Sequence, residues 1–300
     1  MQLRRRWPVF VIVILGLVAT ACGGAGASSA SPPSATPAGA SSSTSSSSAA
    51  DPAELGDGGG SVPIPVAGQP PVSGVPWYLA VGDSITFGYT LDPARAGVNS
   101  SWALQLQGLL ASRGEPWKLY DTACSGERTD TYYRACSANQ HVPFLAGQSQ
   151  HDAAMAAIRA HRADLKLILV DLGSNDLLRA LRFGESPTTA ASQLHASLTR
   201  IVNDLEQAAP GVPVVVANYY NPLANIFPAT QAQLKLVNDV VQTVATDEHA
   251  RLADFFGAVN TVPDAHDPHL CDYVDCAHTD IHPTVAGHTR LAQAALAVIP

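Results

Sequence analysis

Two unbroken apolar runs, Leu167-Ile168-Leu169-Val170 and Val214-Val215-Val216, constrain this chain more than any other feature. A strand with one face in water alternates apolar and polar residues. One that is apolar at every position has to be covered on both faces, as a parallel strand is between two layers of helices. The runs extend to strand candidates at Leu165–Leu172 and Val212–Asn218, and three more stand at Trp77–Val81, Trp117–Thr122 and Ala250–Phe255. Helical patterns alternate with them at Ser101–Ser112, Asp152–Ala163, Thr188–Ala208, Thr230–His249 and Thr284–Val298, with Ser100 or Ser101 and Thr188 suited to be N-caps. Five β–α alternations predict an α/β fold, a three-layer α/β/α sandwich around a parallel sheet.

The alternation begins near residue 76, and what precedes it has another character. Arg4–Arg6, the apolar Val9–Val18 and Ala19-Thr20-Ala21 have the order of an export signal over residues 1–22. The apolar part is short for a membrane span. Cys22 follows directly and resembles the lipidated cysteine of a bacterial lipobox, although Ala19 stands where that pattern prefers Leu; ordinary cleavage near Cys22 is the competing reading. Residues 23–75 are rich in Ser, Ala, Gly and Pro and bury too little apolar surface to offset their ordering entropy, so they read as a linker. Residues 76–300 form the expected domain, exported and either surface-anchored or secreted. They hold 14 of the 17 basic and 22 of the 25 acidic residues. With that balance and no basic patch, nucleic acid is excluded as a partner, and contact with a membrane is expected only through a lipid at Cys22.

The residues able to carry chemistry stand where strands end, which is where open α/β sheets place their reactive groups. Gly82-Asp83-Ser84 follows the first strand. A serine hydroxyl is a poor nucleophile alone and needs a base, a group that orients the base, and donors for the oxyanion. Gly126, beyond the second strand, could present a bare backbone N–H, or could serve only a loop that needs positive φ. Asn175, in Gly173-Ser174-Asn175-Asp176, could aim its amide at the same crevice, or act as a cap. Asp280 and His282 stand two residues apart, so on extended backbone both side chains face one way and the carboxylate can orient the imidazole. Asp83 and Asp176 are read as holding turns.

Four cysteines remain in the domain, and outside the cytoplasm they suggest two disulfides with three possible pairings. The local pairing, Cys124–Cys136 and Cys271–Cys276, closes one loop with each bond and would brace the crevice. The C-terminal stretch also gathers His266, His269, His278, His282 and His288 among Asp264, Asp267, Asp272, Asp275 and Asp280. This crowding raises a metal reading, but the stretch has no HExxH-like spacing; no metal or other cofactor is expected.

Taken together, Gly82-Asp83-Ser84, Gly126, Gly173-Ser174-Asn175-Asp176 and Asp280-Ile281-His282-Pro283 resemble the SGNH hydrolase (GDSL-type esterase/lipase) family. The resemblance implies a flavodoxin-like five-stranded parallel sheet in the order 2-1-3-4-5. It implies Ser84 as nucleophile, His282 as base and Asp280 as its orienter, with the Ser84 and Gly126 N–H groups and the Asn175 side chain as the oxyanion hole. The chain departs from the family at Asp121, where an Asn is common, and in the inserted Cys124–Cys136 loop. The expected activity is hydrolysis of a carboxylic ester: a lipid, an acylated glycan or a small ester. The loops Thr90–Asn99, Cys124–Gln150 and Pro222–Pro228 would select among these, and their moderately apolar composition leans towards acyl chains. Two alternatives stand beside this reading. One is a non-catalytic glycan- or ligand-binding module on the same fold. The other is a metal-dependent hydrolase built on the C-terminal His/Asp cluster.

Overall fold

The apolar runs become the strands of one parallel sheet: β1 (Trp77–Gly82), β2 (Lys118–Asp121), β3 (Leu165–Asp171), β4 (Val214–Ala217) and β5 (Arg251–Ala253), in the order β2-β1-β3-β4-β5. The computed structural model describes residues 70–95, 100–136, 145, 147–262 and 266–300, all within one compact unit. The export signal, Cys22, nearly all of the linker and Asp264 lie outside the described residues.

Alternate residues of each central strand enter opposite cores. Trp77, Leu79, Val81, Ile168, Val170, Val214 and Val216 pack against α3 (Gln150–His161), α5 (Pro187–Ala208) and α6 (Thr230–Asp247). Tyr78, Ala80, Leu167, Leu169, Val215 and Ala217 pack against α2 (Trp102–Ser112), α7 (Phe255–Val259) and the last long helix, α8 (Val285–Val298). The sandwich thus has three layers, and the unbroken apolar runs follow from burial on both faces.

The structure differs from expectation at several boundaries. Ser101 caps α2, its hydroxyl accepting the Leu104 N–H at 3.3 Å. The cap of α5 is Ser186 rather than Thr188, because Pro187 supplies the first turn without needing a hydrogen bond for its nitrogen. The final strand stops at Ala253, since Asp254 caps α7 by accepting the Gly257 N–H at 3.0 Å. A helix absent from the expected set, α4 (Ser174–Phe183), leaves β3 directly and ends at Gly184, whose φ of 66° only glycine adopts freely. Among the described residues no helix is long and apolar enough to cross a membrane.

Candidate active site

Ser84 opens the four-residue helix α1 (Ser84–Phe87) at the carboxyl end of β1. The turn is tight: a Cβ at Gly82 would lie 2.4 Å from the Thr86 Cβ, so residue 82 has to be glycine. Asp83 caps α1, its Oδ1 accepting the Ile85 N–H at 2.9 Å. The Ser84 hydroxyl lies 2.9 Å from His282 Nε2, although 198 residues separate the two in sequence.

The imidazole is fixed from behind by one carboxylate. His282 Nδ1 lies 2.5 Å from Asp280 Oδ1, and the same oxygen accepts the His282 backbone N–H at 3.2 Å. Asp280 Oδ2 accepts the Leu91 N–H at 2.9 Å, and the Tyr89 ring packs on the imidazole with centroids 4.8 Å apart. Burial pushes the Asp280 carboxyl up, but its bonds from His282 and Leu91 more than offset this, and its pKa is lowered. The Asp280-Ile281-His282 segment is not the extended strand expected from the spacing. It belongs to no strand and bends at His282, yet the two side chains face one way, and the carboxylate that meets the ring also accepts the His282 backbone N–H.

Asn175 approaches from the other side, on the first turn of α4. Gly173, which starts this turn, has a φ of 140°, a conformation that side-chain-bearing residues rarely adopt, and a Cβ there would also press on the end of Leu194 at 2.8 Å. The Asn175 amide donates to Asp83 Oδ2 at 3.2 Å and to the Glu127 carbonyl at 3.0 Å. The Ser174 hydroxyl also donates to Asp83 Oδ2, at 2.5 Å. Asp83 therefore ties the serine turn to α4. Asp171, at the end of β3, accepts from Thr86 Oγ1 at 2.8 Å and from the Trp102 indole at 3.3 Å, while its Oδ1 is buried without a partner. Burial and then the charge of Asp83 push the Asp171 carboxyl well up. Burial raises the Asp83 carboxyl too, but its three donors, Ile85 N–H, Ser174 and Asn175, work against that rise.

Gly126 has the positive φ of 79° that a loop role requires. It does not line the cavity described below, and it reaches the other residues through its neighbours. The next residue, Glu127, offers Asn175 its carbonyl, and its buried carboxyl accepts from Thr131 and, at 3.1 Å, from Gln150. Gln150 is wholly buried and bonds both the N–H of Gly82, at 3.0 Å, and its carbonyl, at 2.7 Å. Asp176 accepts the Thr129 N–H at 3.0 Å and its hydroxyl at 2.6 Å, fastening the same loop to α4. Burial raises the Glu127 carboxyl to about 7 and that of Asp176 to about 6. Sequence reasoning missed Glu127, Gln150 and Thr129. Nothing in a lone Gln or Thr marks it as a strut, and only the position of Glu127 next to Gly126 offered a signal.

Cys124 and Cys136 have Cα atoms 6.1 Å apart, and Cys271 and Cys276 5.4 Å, within the span of a disulfide. The C-terminal histidines are dispersed. His288 is buried against α2, its Nδ1 accepting the Trp102 N–H at 3.2 Å, and burial lowers its pKa to about 3, so it is neutral. Among the described residues, Asp92, Asp275 and His278 bring possible ligand atoms within 4.8 Å of one another. His278 Nδ1 in that group already lies 2.8 Å from Asp275.

Ser84, Asn175 and His282 line one cavity, of about 690 Å³ counting its open mouth. Its other walls come from α4, from residues 219–223 and from the start of α6, and are mostly apolar.

The model of the GDSL-like lipase/acylhydrolase family matches residues 80–290. No curated protein matches the sequence. The fold is similar to that of an acetylxylan esterase from Geobacillus stearothermophilus, at 19% identity over 77% of this chain and 96% of that one, with a TM-score of 0.55. It is also similar to a putative GDSL-like lipase from Parabacteroides merdae, at 12% identity over 77% and 98% of the two chains, with a TM-score of 0.53. An α/β hydrolase enzyme from the metagenome of Lake Arreo, Spain, matches at 19% identity over 76% and 96%, with a TM-score of 0.51. At these identities the likeness is one of fold.

Proposed function

This chain belongs to the GDSL-like lipase/acylhydrolase family and is a serine ester hydrolase, and from that premise we propose that Ser84, His282 and Asp280 carry its reaction. The observation that supports this most is the 2.9 Å contact between Ser84 Oγ and His282 Nε2. Ser84 Oγ attacks the ester carbonyl while His282 Nε2 takes its proton, and Asp280 holds the proton of Nδ1 and stabilises the imidazolium. The charge that forms on the carbonyl oxygen is met by the N–H groups of Ser84 and Gly126 and by the Asn175 amide, one of whose two hydrogens turns from Asp83 or Glu127 to the oxyanion. His282 then protonates the leaving alcohol. Water, deprotonated by the same imidazole, releases the acid and restores Ser84.

The substrate is a carboxylic ester of a lipid, an acylated glycan or a small acyl ester; acetylated xylan is named for one solved neighbour. The disulfides Cys124–Cys136 and Cys271–Cys276 brace the loops on either side. Residues 1–22 direct export, Cys22 carries a lipid anchor, and residues 23–75 are the tether to the domain at 76–300. Metabolic labelling with a palmitate analogue is expected to mark the wild-type chain and not Cys22→Ser; an unlabelled wild type would remove the anchor.

Hydrolysis of p-nitrophenyl esters by the full chain, beside Ser84→Ala and a chelator-treated sample, tests the chemistry. Loss on the order of 10⁴-fold or more in Ser84→Ala is expected, with no effect of chelator. Activity surviving Ser84→Ala would overturn the triad, and activity lost to chelator would favour a metal at Asp92, Asp275 and His278.

A further inference from the structure

The cavity beside Ser84 has a direction. Asn175, Leu178 and Leu181, all of which line it, mark successive turns of α4. At 1.5 Å of rise per residue, Asn175 and Leu181 lie about 9 Å apart along the helix axis. Leu234, on α6, lines the cavity too, from a buried position. An extended chain of single bonds advances about 3.5 Å over three bonds, so about 9 Å takes roughly eight. An acetyl group would fill only the first of them.

The walls also reject a sugar. Most polar side chains away from the reacting groups are already engaged: the Asn221 amide donates to Thr230 and to Gln231 Oε1, each at 3.0 Å, the Thr230 hydroxyl donates to the Phe227 carbonyl at 2.7 Å and the Tyr220 hydroxyl to the Ile281 carbonyl at 2.9 Å, while the Tyr219 hydroxyl has no partner among the described residues but is itself buried. A sugar ring placed here would leave its hydroxyls without partners, whereas methylenes need none. Asn175 and His282 both line the near end of the cavity, where the two groups joined to the ester carbonyl carbon begin, and the apolar walls run on from there along the helix that carries Asn175. From these observations we infer that this cavity is an acyl channel, selecting esters of unbranched acids of about six to eight carbons over acetyl esters, with Leu181 limiting the length. The inference rests on Ser84 being the nucleophile.

The test measures kcat/KM of the full chain on p-nitrophenyl esters from acetyl to hexadecanoyl, and on a second series with the acyl group held at acetyl and the alcohol lengthened. Leu181→Trp and Leu223→Trp, both at lining residues, are measured beside wild type, with thermal unfolding to show that each folds. The wild type is expected to favour octanoyl over acetyl by at least tenfold, each methylene in an apolar pocket adding several-fold. The octanoyl-to-acetyl ratio is expected to fall at least tenfold in one or both variants. Acetyl preferred over octanoyl, or a gain with alcohol length instead of acyl length, would overturn the channel while leaving the esterase intact. A ratio unchanged in both folded variants would also overturn it. Hydrolysis that persists in Ser84→Ala would instead remove the nucleophile, and the inference with it.

Discussion

On one side of Ser84, His282 is held by a single oxygen of Asp280, whose other oxygen takes one backbone N–H from Leu91. On the other side, Asn175 and the Gly126 loop belong to a web in which Asp83, Glu127, Asp176 and Gln150 join β1, α3 and α4 to the 124–131 loop. The base side is thus a short chain of contacts set by one local bend. The oxyanion side is a buried network that also holds secondary structure together. Substitutions on the base side should remove chemistry and spare the fold, and those on the oxyanion side should cost both.

The sharpest form of that contrast is Asp280→Asn. Asparagine keeps an oxygen for the Leu91 N–H but no longer stabilises the imidazolium or fixes its tautomer. A fall in kcat of about 10³- to 10⁴-fold is expected, with KM within about twofold. Unfolding by denaturant should be nearly unchanged, and a fall in kcat below tenfold would show that Asp280 is not the orienter. Asn175→Ala comes next. Losing one oxyanion donor lowers kcat by about 10²- to 10³-fold. Here stability should fall as well, by about 1–3 kcal/mol, because Asp83 and the Glu127 carbonyl each lose a donor while buried. Unchanged stability in Asn175→Ala would break the comparison.

The two sides also differed in how far they could be read from sequence. The strands were legible because burial on both faces leaves few alternatives to Leu, Ile and Val; Ser84 and Asn175 were singled out because they stand where strands end, and His282 by its place in Asp280-Ile281-His282-Pro283 before the last helix. The spacing of Asp280 and His282 placed both side chains on one side, as the structure has them, although the segment belongs to no strand and bends at His282. The struts were not legible. Gln150 acts from the start of α3, 68 positions after the Gly82 peptide that it clamps, and no local pattern encodes such a distance. Helix α4 was missed because it begins directly from the Gly173-Ser174-Asn175 turn, whose composition reads as loop.

One departure from the family lies near the web, at the end of β2, and bears on pH. Asp121 ends β2, just before the Gly126 loop, where an amide is common in the family. Its Oδ1 accepts the Ala123 N–H at 2.8 Å, and its Oδ2 is buried without a partner. An asparagine amide would not need to lose a charge there, but a carboxylate does, and burial raises the Asp121 pKa from 3.8 to about 7. The unfolded chain therefore releases this proton near pH 4 and the folded one only near pH 7. The stability that the group contributes is present below pH 4 and is lost as pH rises through 7. Asparagine does not titrate, so Asp121→Asn should be more stable than wild type by about 3 kcal/mol more at pH 8 than at pH 5. Denaturant unfolding of both proteins at the two pH values measures it. The same gain at both values would mean that Asp121 is ionised in the fold throughout, and that water or an unseen donor reaches its second oxygen. With a gain confined to high pH, the oxyanion side is a site whose framework loosens above pH 7, while the base side, resting on a carboxylate of lowered pKa, keeps its geometry.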